Sequence, residues 1–263
     1  MSIWEITARD VPLFFLAFLR SIGFLFSAPI LGSRSIPPQV RVGLSLLLAL
    51  VLFPQIGQIA VEPPADPLSL TIGGMGEIGI GITLGYATRL LFAGALMAGD
   101  MIGHQTGLHL TTFFDPQLAR PMTVAAQFLD RLLVLVFLAA DGHHLMLQAI
   151  GGSFHWVPIF SFALPGRVVE LLIQLFGSSL MLALKLAAPI LTATFVVYLA
   201  LALLGRAIPH IDVVILGFPA AFYVGFLIFF ASLPLMVHLF GVASSHLEAD
   251  LVLLLRSMSH ALR

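Results

Sequence analysis

The sequence predicts an all-α integral membrane protein of about six hydrophobic helices. Three observations carry that expectation. Of the 263 residues, 59% are hydrophobic and only 10% are charged, and the mean hydropathy is +1.07. A soluble domain is nearer half apolar and a quarter charged, so twenty-five formal charges cannot clothe this chain in water. The apolar residues run continuously rather than alternating, which favours helices over the strands of a membrane barrel.

Crossing a hydrocarbon core of ~30 Å takes about 20 apolar residues in a helix. Six runs qualify: 11–31, 40–61, 78–99, 124–150, 168–204 and 213–239. Pro54 is expected to kink the end of the second. The fifth is too long for one simple span and contains Pro189, so a kink or a broken helical pair is expected there. Pro219 and Pro234 interrupt the sixth. The connectors are a tight 33–38 link, a proline-rich acidic 62–67 link, the long stretch 100–123, then 151–166 and 205–212. Residues 246–263 read as a short amphipathic tail, and the first run reads as a retained helix because Arg20 interrupts it and Pro29 follows Ala28. Arginines flank the two sets of loops four against four, so charge does not orient the chain.

Several functions are disfavoured on composition. A net charge of -1 gives no basic field for nucleic acid. The absence of cysteine removes disulfides and thiol chemistry. Neither GxSxG nor a phosphate-binding GKS/GKT loop occurs, so neither catalysis nor a resident cofactor is expected. Gly74–Gly79 fits GxGxxG but follows no strand, and as a dinucleotide site it reads as chance. Metal binding is not expected either: His104 and His109 are five apart, and adjacent His143 and His144 would diverge by ~100° on a helix.

The apolar runs contain the ionisable groups Arg20, Arg89, Asp130, Arg131, Asp141, Glu170 and Lys185. Each costs ~2.5–3.5 kcal/mol at a helix centre on insertion scales. No opposite pair within the runs stands at i,i+3 or i,i+4, so partners must come from other helices, other subunits or water. A proton pathway would gather such charges on one face. Their scatter favours salt bridges that fix an assembly. Gly81 with Gly85, and Gly99 with Gly103 and Gly107, are spaced for close helix approach. In the stretch after Asp100, Phe113–Phe114–Asp115–Pro116 sets two aromatics before a turn, which suits equally a loop plugging a pore and a surface loop resting on the bundle.

Pro29 in Ala28–Pro29–Ile30, then Arg34, Pro37 and Arg41 in Ser33–Arg34–Ser35–Ile36–Pro37–Pro38–Gln39–Val40–Arg41, resemble the first-loop signature of the FliR family of type III export-gate proteins and its injectisome relative SctT. Phe114–Asp115–Pro116, Asp141–Gly142–His143 and Gly217–Phe218–Pro219 follow in the family's order, and the resemblance runs from Phe14 to about Leu239. Pro37–Pro38 departs from it, since a single proline is more usual. The resemblance implies a single domain over 1–263 of tilted, kinked helical hairpins, like a FliP-type part (1–204) fused to a FliQ-type part (205–263). It implies FliP-, FliQ-, FlhB- and FlhA-type partners in the bacterial inner membrane at the flagellar basal body, lipid around them, and unfolded secreted proteins as cargo. It implies no enzymatic activity. The Gly103–Pro116 region resembles the family's plug, and the charges at Arg20, Arg89, Arg131, Asp141, Glu170 and Lys185 would then pair across helices and subunits. The alternatives are an injectisome gate subunit of the SctT type, a proton-coupled secondary transporter and an intramembrane enzyme. The second would favour an inverted repeat, and none is evident.

Overall fold

The computed structural model describes residues 3–33, 36–56, 66–107, 122–161, 166–208 and 213–260. Among them are seven α-helices and no strand: α1 (Ile3–Ser27), α2 (Pro38–Ile56), α3 (Pro67–Gln105), α4 (Val124–Ala139), α5 (Gly142–Trp156), α6 (Gly166–Ala207) and α7 (Val213–His260). A short 3-10 turn, Ile30–Gly32, follows α1.

Four helical segments are long and apolar enough to cross a bilayer: Asp10–Ser27, Leu68–Gln105, Gly166–Ala207 and Ile215–Ser259. The chain is thus an all-α integral membrane protein, with fewer spanning helices among the described residues than the six expected. The fourth run breaks in two. Ala140 ends α4, and Asp141 takes the left-handed conformation at φ 56°. The pieces, of 16 and 15 residues, are each about 22–24 Å long, short of the hydrocarbon core.

The other differences all lengthen helices. The third run begins eleven residues earlier than expected, at Pro67, and continues through 100–105. Gly103, expected in a loop, is therefore helical. The 246–263 tail prolongs α7 as far as His260. Pro189, Pro219 and Pro234 lie inside continuous helices rather than at breaks. Each proline removes one N–H from a ladder of some forty bonds, and the flanking apolar turns have no better-satisfied state in lipid than helix. Pro38 is the first residue of α2, the position where the missing N–H costs nothing, which accommodates the doubled proline.

The chain forms two compact units. Unit 1 comprises Met1–Leu90, Asp141–Leu175 and His246–Arg263; unit 2 comprises Leu91–Ala140 and Phe176–Ser245. Both draw residues from either side of position 204. The core of unit 1 includes Leu13, Leu16, Ala17 and Phe24 of α1, Ile80 and Leu84 of α3, and Leu251 and Leu254 of α7. That of unit 2 includes Phe92, Leu129, Leu133, Phe137, Ile190 and Phe240, with Phe92 set edge-on to Phe137 and Phe240 at 5.2 and 5.5 Å.

Candidate functional site: a buried charge clamp, a capped helix pair and an open groove

Unit 1 is organised around Arg20. Leu16, Arg20 and Phe24 of α1 and Ala28 just past its end follow one another at four-residue intervals, all at 0–1% exposure. Gly73, Glu77, Gly81 and Gly85 repeat the same interval on α3. A Cβ at Gly81 would strike the Arg20 carbonyl and the Phe24 nitrogen, and one at Gly85 would strike the Phe24 carbonyl and the Ala28 nitrogen. Only hydrogen at these positions lets the two backbones approach so closely.

Within that contact the Arg20 Nε donates to Glu77 Oε2 at 2.6 Å, with both side chains fully buried. Nη1 donates to Ser153 Oγ at 3.0 Å, and Nη2 to the Val157 carbonyl at 3.0 Å. The guanidinium lies 4.1 Å above the Phe154 ring. The second carboxylate oxygen of Glu77 accepts the Phe160 N–H at 3.2 Å. Phe160 has a positive φ of 70°, costly for an aromatic residue, and its ring fills the space above Gly73. One ion pair thus ties together α1, α3, the end of α5 and the turn beyond it. Arg20 was expected to need a partner from another helix; Glu77 was not among the charges singled out. It stands one residue before the third apolar run, so a reading confined to the runs does not reach it.

The remaining charges behave differently. Arg89, Arg131, Asp141, Glu170 and Lys185 are exposed on the single chain and Asp130 is half-buried. Glu170 pairs locally with Arg167 at 3.0 Å, an i,i+3 bridge whose arginine stands just outside the apolar run. Asp141 meets His144 at 3.2 Å. The adjacent His143 and His144 rings lie 4.2 Å apart, centroid to centroid. Ligand atoms of Asp141, His143 and His144 fall within 4.8 Å of one another, so divergence of neighbouring histidines does not hold here as an argument against a metal.

Among the first-loop residues, Pro29 precedes the 3-10 turn. The Pro37 carbonyl accepts the N–H groups of Val40 and Arg41, starting α2. Arg41 lies 4.4 Å over the Phe26 ring. Gly217 is buried in α7, while Phe218 and Pro219 beside it are exposed. Arg34 and the Phe113–Phe114–Asp115–Pro116 segment lie outside the described residues.

In unit 2, Gly99 and Gly103 of α3 meet Ala126 and Thr123 at the start of α4, so closely that a Cβ on either would collide. Thr123 caps α4 by accepting the Ala126 N–H at 3.2 Å, and its hydroxyl donates to the Gly99 carbonyl at 3.1 Å. Its own N–H donates to Asp100 at 3.0 Å. Gly107 adopts a φ of 75°, which suits glycine as α3 ends. Replacing Thr123 by alanine should cost about 0.5–2 kcal/mol, the usual range for a lost cap. Thermal unfolding of the detergent-purified chain checks this, and an unchanged midpoint would contradict it.

The same unit has a partly open apolar pocket of about 150 Å³, lined by Phe128, Phe222, Phe226, Phe229 and Phe230 among others. It also carries an open groove along α6 and α7.

The comparisons with known proteins agree. Residues 11–247 match the family described as bacterial export proteins, family 1. The chain is 34% identical over 231 residues to the flagellar biosynthetic protein FliR of Pectobacterium carotovorum subsp. carotovorum, covering 85% of each chain. It is 32% identical over 233 residues to FliR of Escherichia coli (strain K12), covering 87% of this chain and 88% of the relative. Against FliR of Bacillus subtilis (strain 168) the figure is 27% over 222 residues. Matches of this length place the chain in the FliR family of flagellar biosynthetic proteins, membrane-embedded components of the bacterial export apparatus.

Proposed function

We propose that the chain is a non-catalytic subunit of the flagellar type III export gate. With FliP- and FliQ-type subunits it forms a protein-conducting channel for unfolded flagellar proteins, in the inner membrane at the basal body, beside FlhA- and FlhB-type neighbours. In this reading residues 1–204 act as the FliP-like part and 205–263 as the FliQ-like part.

One observation supports an assembled rather than a solitary protein: the apolar faces of α6 and α7 are too long for lipid alone to cover. α6 has 42 residues, about 63 Å of contour. Its exposed large apolar side chains run from Val169 to Leu204, about 52 Å of rise. A tilt of ~40°, the upper end of the observed range, still leaves about 40 Å along the bilayer normal, against ~30 Å of hydrocarbon. On α7 they run from Ile215 to Leu253, about 57 Å. Only 22% of residues in the apolar segments of α6 and α7 are buried, against 61% in α3. The excess must meet protein. The flagellar relatives favour flagellar over injectisome use.

Two measurements test the reading. Co-expressed with its FliP- and FliQ-type neighbours, the chain should purify in one large hetero-complex; purification alone or as a small homo-oligomer would sink the proposal. Deleting 108–116 in that complex should raise ion leakage across the membrane, and unchanged leakage from an assembled gate would remove the plug role from Phe113 and Phe114.

A further inference from the structure

Asp141, His143 and His144 stand together where α5 begins. One carboxylate oxygen and one ring nitrogen from each histidine lie within 4.8 Å of one another. Adjacent residues on a helix diverge by ~100°, yet these two rings lie 4.2 Å apart and only 38° from parallel. Asp141, in its left-handed conformation at φ 56° and ψ 22°, sets its carboxylate 3.2 Å from His144 Nδ1.

Two further observations show that the fold does not use these groups up. Asp141 occupies the cap position of α5, where a carboxylate ordinarily accepts an N–H of the first turn, but its side chain makes no capping hydrogen bond. His143 Nδ1 is buried and has no hydrogen-bond partner among the described residues. A buried ring nitrogen left unmet carries a desolvation cost that a ligand can remove. The side chains of Asp141 and His144 are 77% and 64% exposed, so the cluster is open to an incoming ion.

We propose that Asp141, His143 and His144 bind one transition-metal dication of the zinc class. Two imidazoles and a carboxylate suit Zn2+, Ni2+ or Cu2+, whereas Mg2+ and Ca2+ take oxygen ligands. Around a tetrahedral ion with bonds of ~2.0–2.1 Å, neighbouring ligand atoms stand roughly 3.4 Å apart. The Asp141–His144 separation of 3.2 Å is already close to that. Rotation of the two exposed side chains closes the remaining distance to His143. Three protein ligands leave the fourth position to water. The dipole of α5 opposes a cation at its first turn, and the Asp141 carboxylate offsets it. The site stands independently of the gate-subunit reading.

The test uses the full chain in detergent, purified without a histidine tag and stripped of metal with a chelator. Calorimetric titration with zinc should show a site of micromolar or tighter affinity, and magnesium should not compete for it. His143→Ala and His144→Ala should each weaken binding at least tenfold, and Asp141→Asn should weaken it as well. His155→Ala, at the far end of α5, should leave it unchanged. Zinc should raise the melting midpoint of the wild-type chain but not that of the His143→Ala/His144→Ala double variant. Titrated with copper instead, the wild-type chain should give an electron paramagnetic resonance spectrum with coupling to two imidazole nitrogens, a readout that needs no variant to fold. The site would be overturned by a wild-type chain that takes up no zinc, by copper bound without nitrogen coupling, or by wild-type affinity in the double variant.

Discussion

Glu77→Ala is expected to destabilise unit 1 by about 3–5 kcal/mol, the usual cost of removing one partner from a buried ion pair. Arg20 is fully buried and has no second carboxylate among the described residues, so the substitution leaves its charge with Ser153, the Val157 carbonyl and the Phe154 ring. Phe160 also loses the acceptor for its N–H while holding a positive φ. The turn after α5 should therefore loosen together with the α1–α3 contact. Replacing both partners at once, Arg20→Met with Glu77→Leu, should be far milder, since apolar groups of similar volume carry no desolvation cost. Thermal unfolding in detergent, with hydrogen exchange read at residues 153–161, measures both effects. If the single and double variants unfold alike, the pair is not what fixes this region.

The class of fold was legible because it depends on bulk hydrophobicity, which no local detail can override. Helix ends were less legible. An apolar-run reading stops at polar residues, yet Asp66 sits just outside α3 and accepts the Ser69 N–H at 3.3 Å, starting the helix well before the apolar run. Asp100 was read as the opening of a loop, but its carboxylate receives the Thr123 N–H at 3.0 Å and so is spent within the packing. The break at Asp141 left no composition signal beyond the Asp–Gly pair. The buried clamp was half legible. Arg20 stood out as a charge in a greasy run, whereas Glu77 lay in a stretch dismissed as a chance GxGxxG match. The spacing Gly73–Glu77–Gly81–Gly85 was the available signal: a carboxylate on a glycine face must be buried by whatever packs there, and something must pair with it.

Gly81→Leu should be nearly as damaging as Glu77→Ala, for a different reason. The obstacles to a side chain at position 81 are the Arg20 carbonyl and the Phe24 nitrogen, which are backbone atoms that cannot swing aside by changing rotamer. Accommodating even a methyl group requires α1 to move away from α3. Overpacking of a side-chain core costs about 1–3 kcal/mol. Here the displacement also pulls the guanidinium from Glu77, so a Leu at position 81 should exceed that range and approach the loss expected for Glu77→Ala. The two effects share one cause, which makes them separable by a double-mutant cycle. In the Arg20→Met/Glu77→Leu background no ion pair remains to be stretched, and Gly81→Ala should then cost less than it does in the native chain. The difference should fall within the 0.5–3 kcal/mol typical of residues in one network. Equal costs in both backgrounds would mean that glycine serves only backbone approach and that the clamp tolerates a wider helix separation. A smaller cost without the clamp would mean that the glycine face exists to bring Arg20 within bonding distance of Glu77.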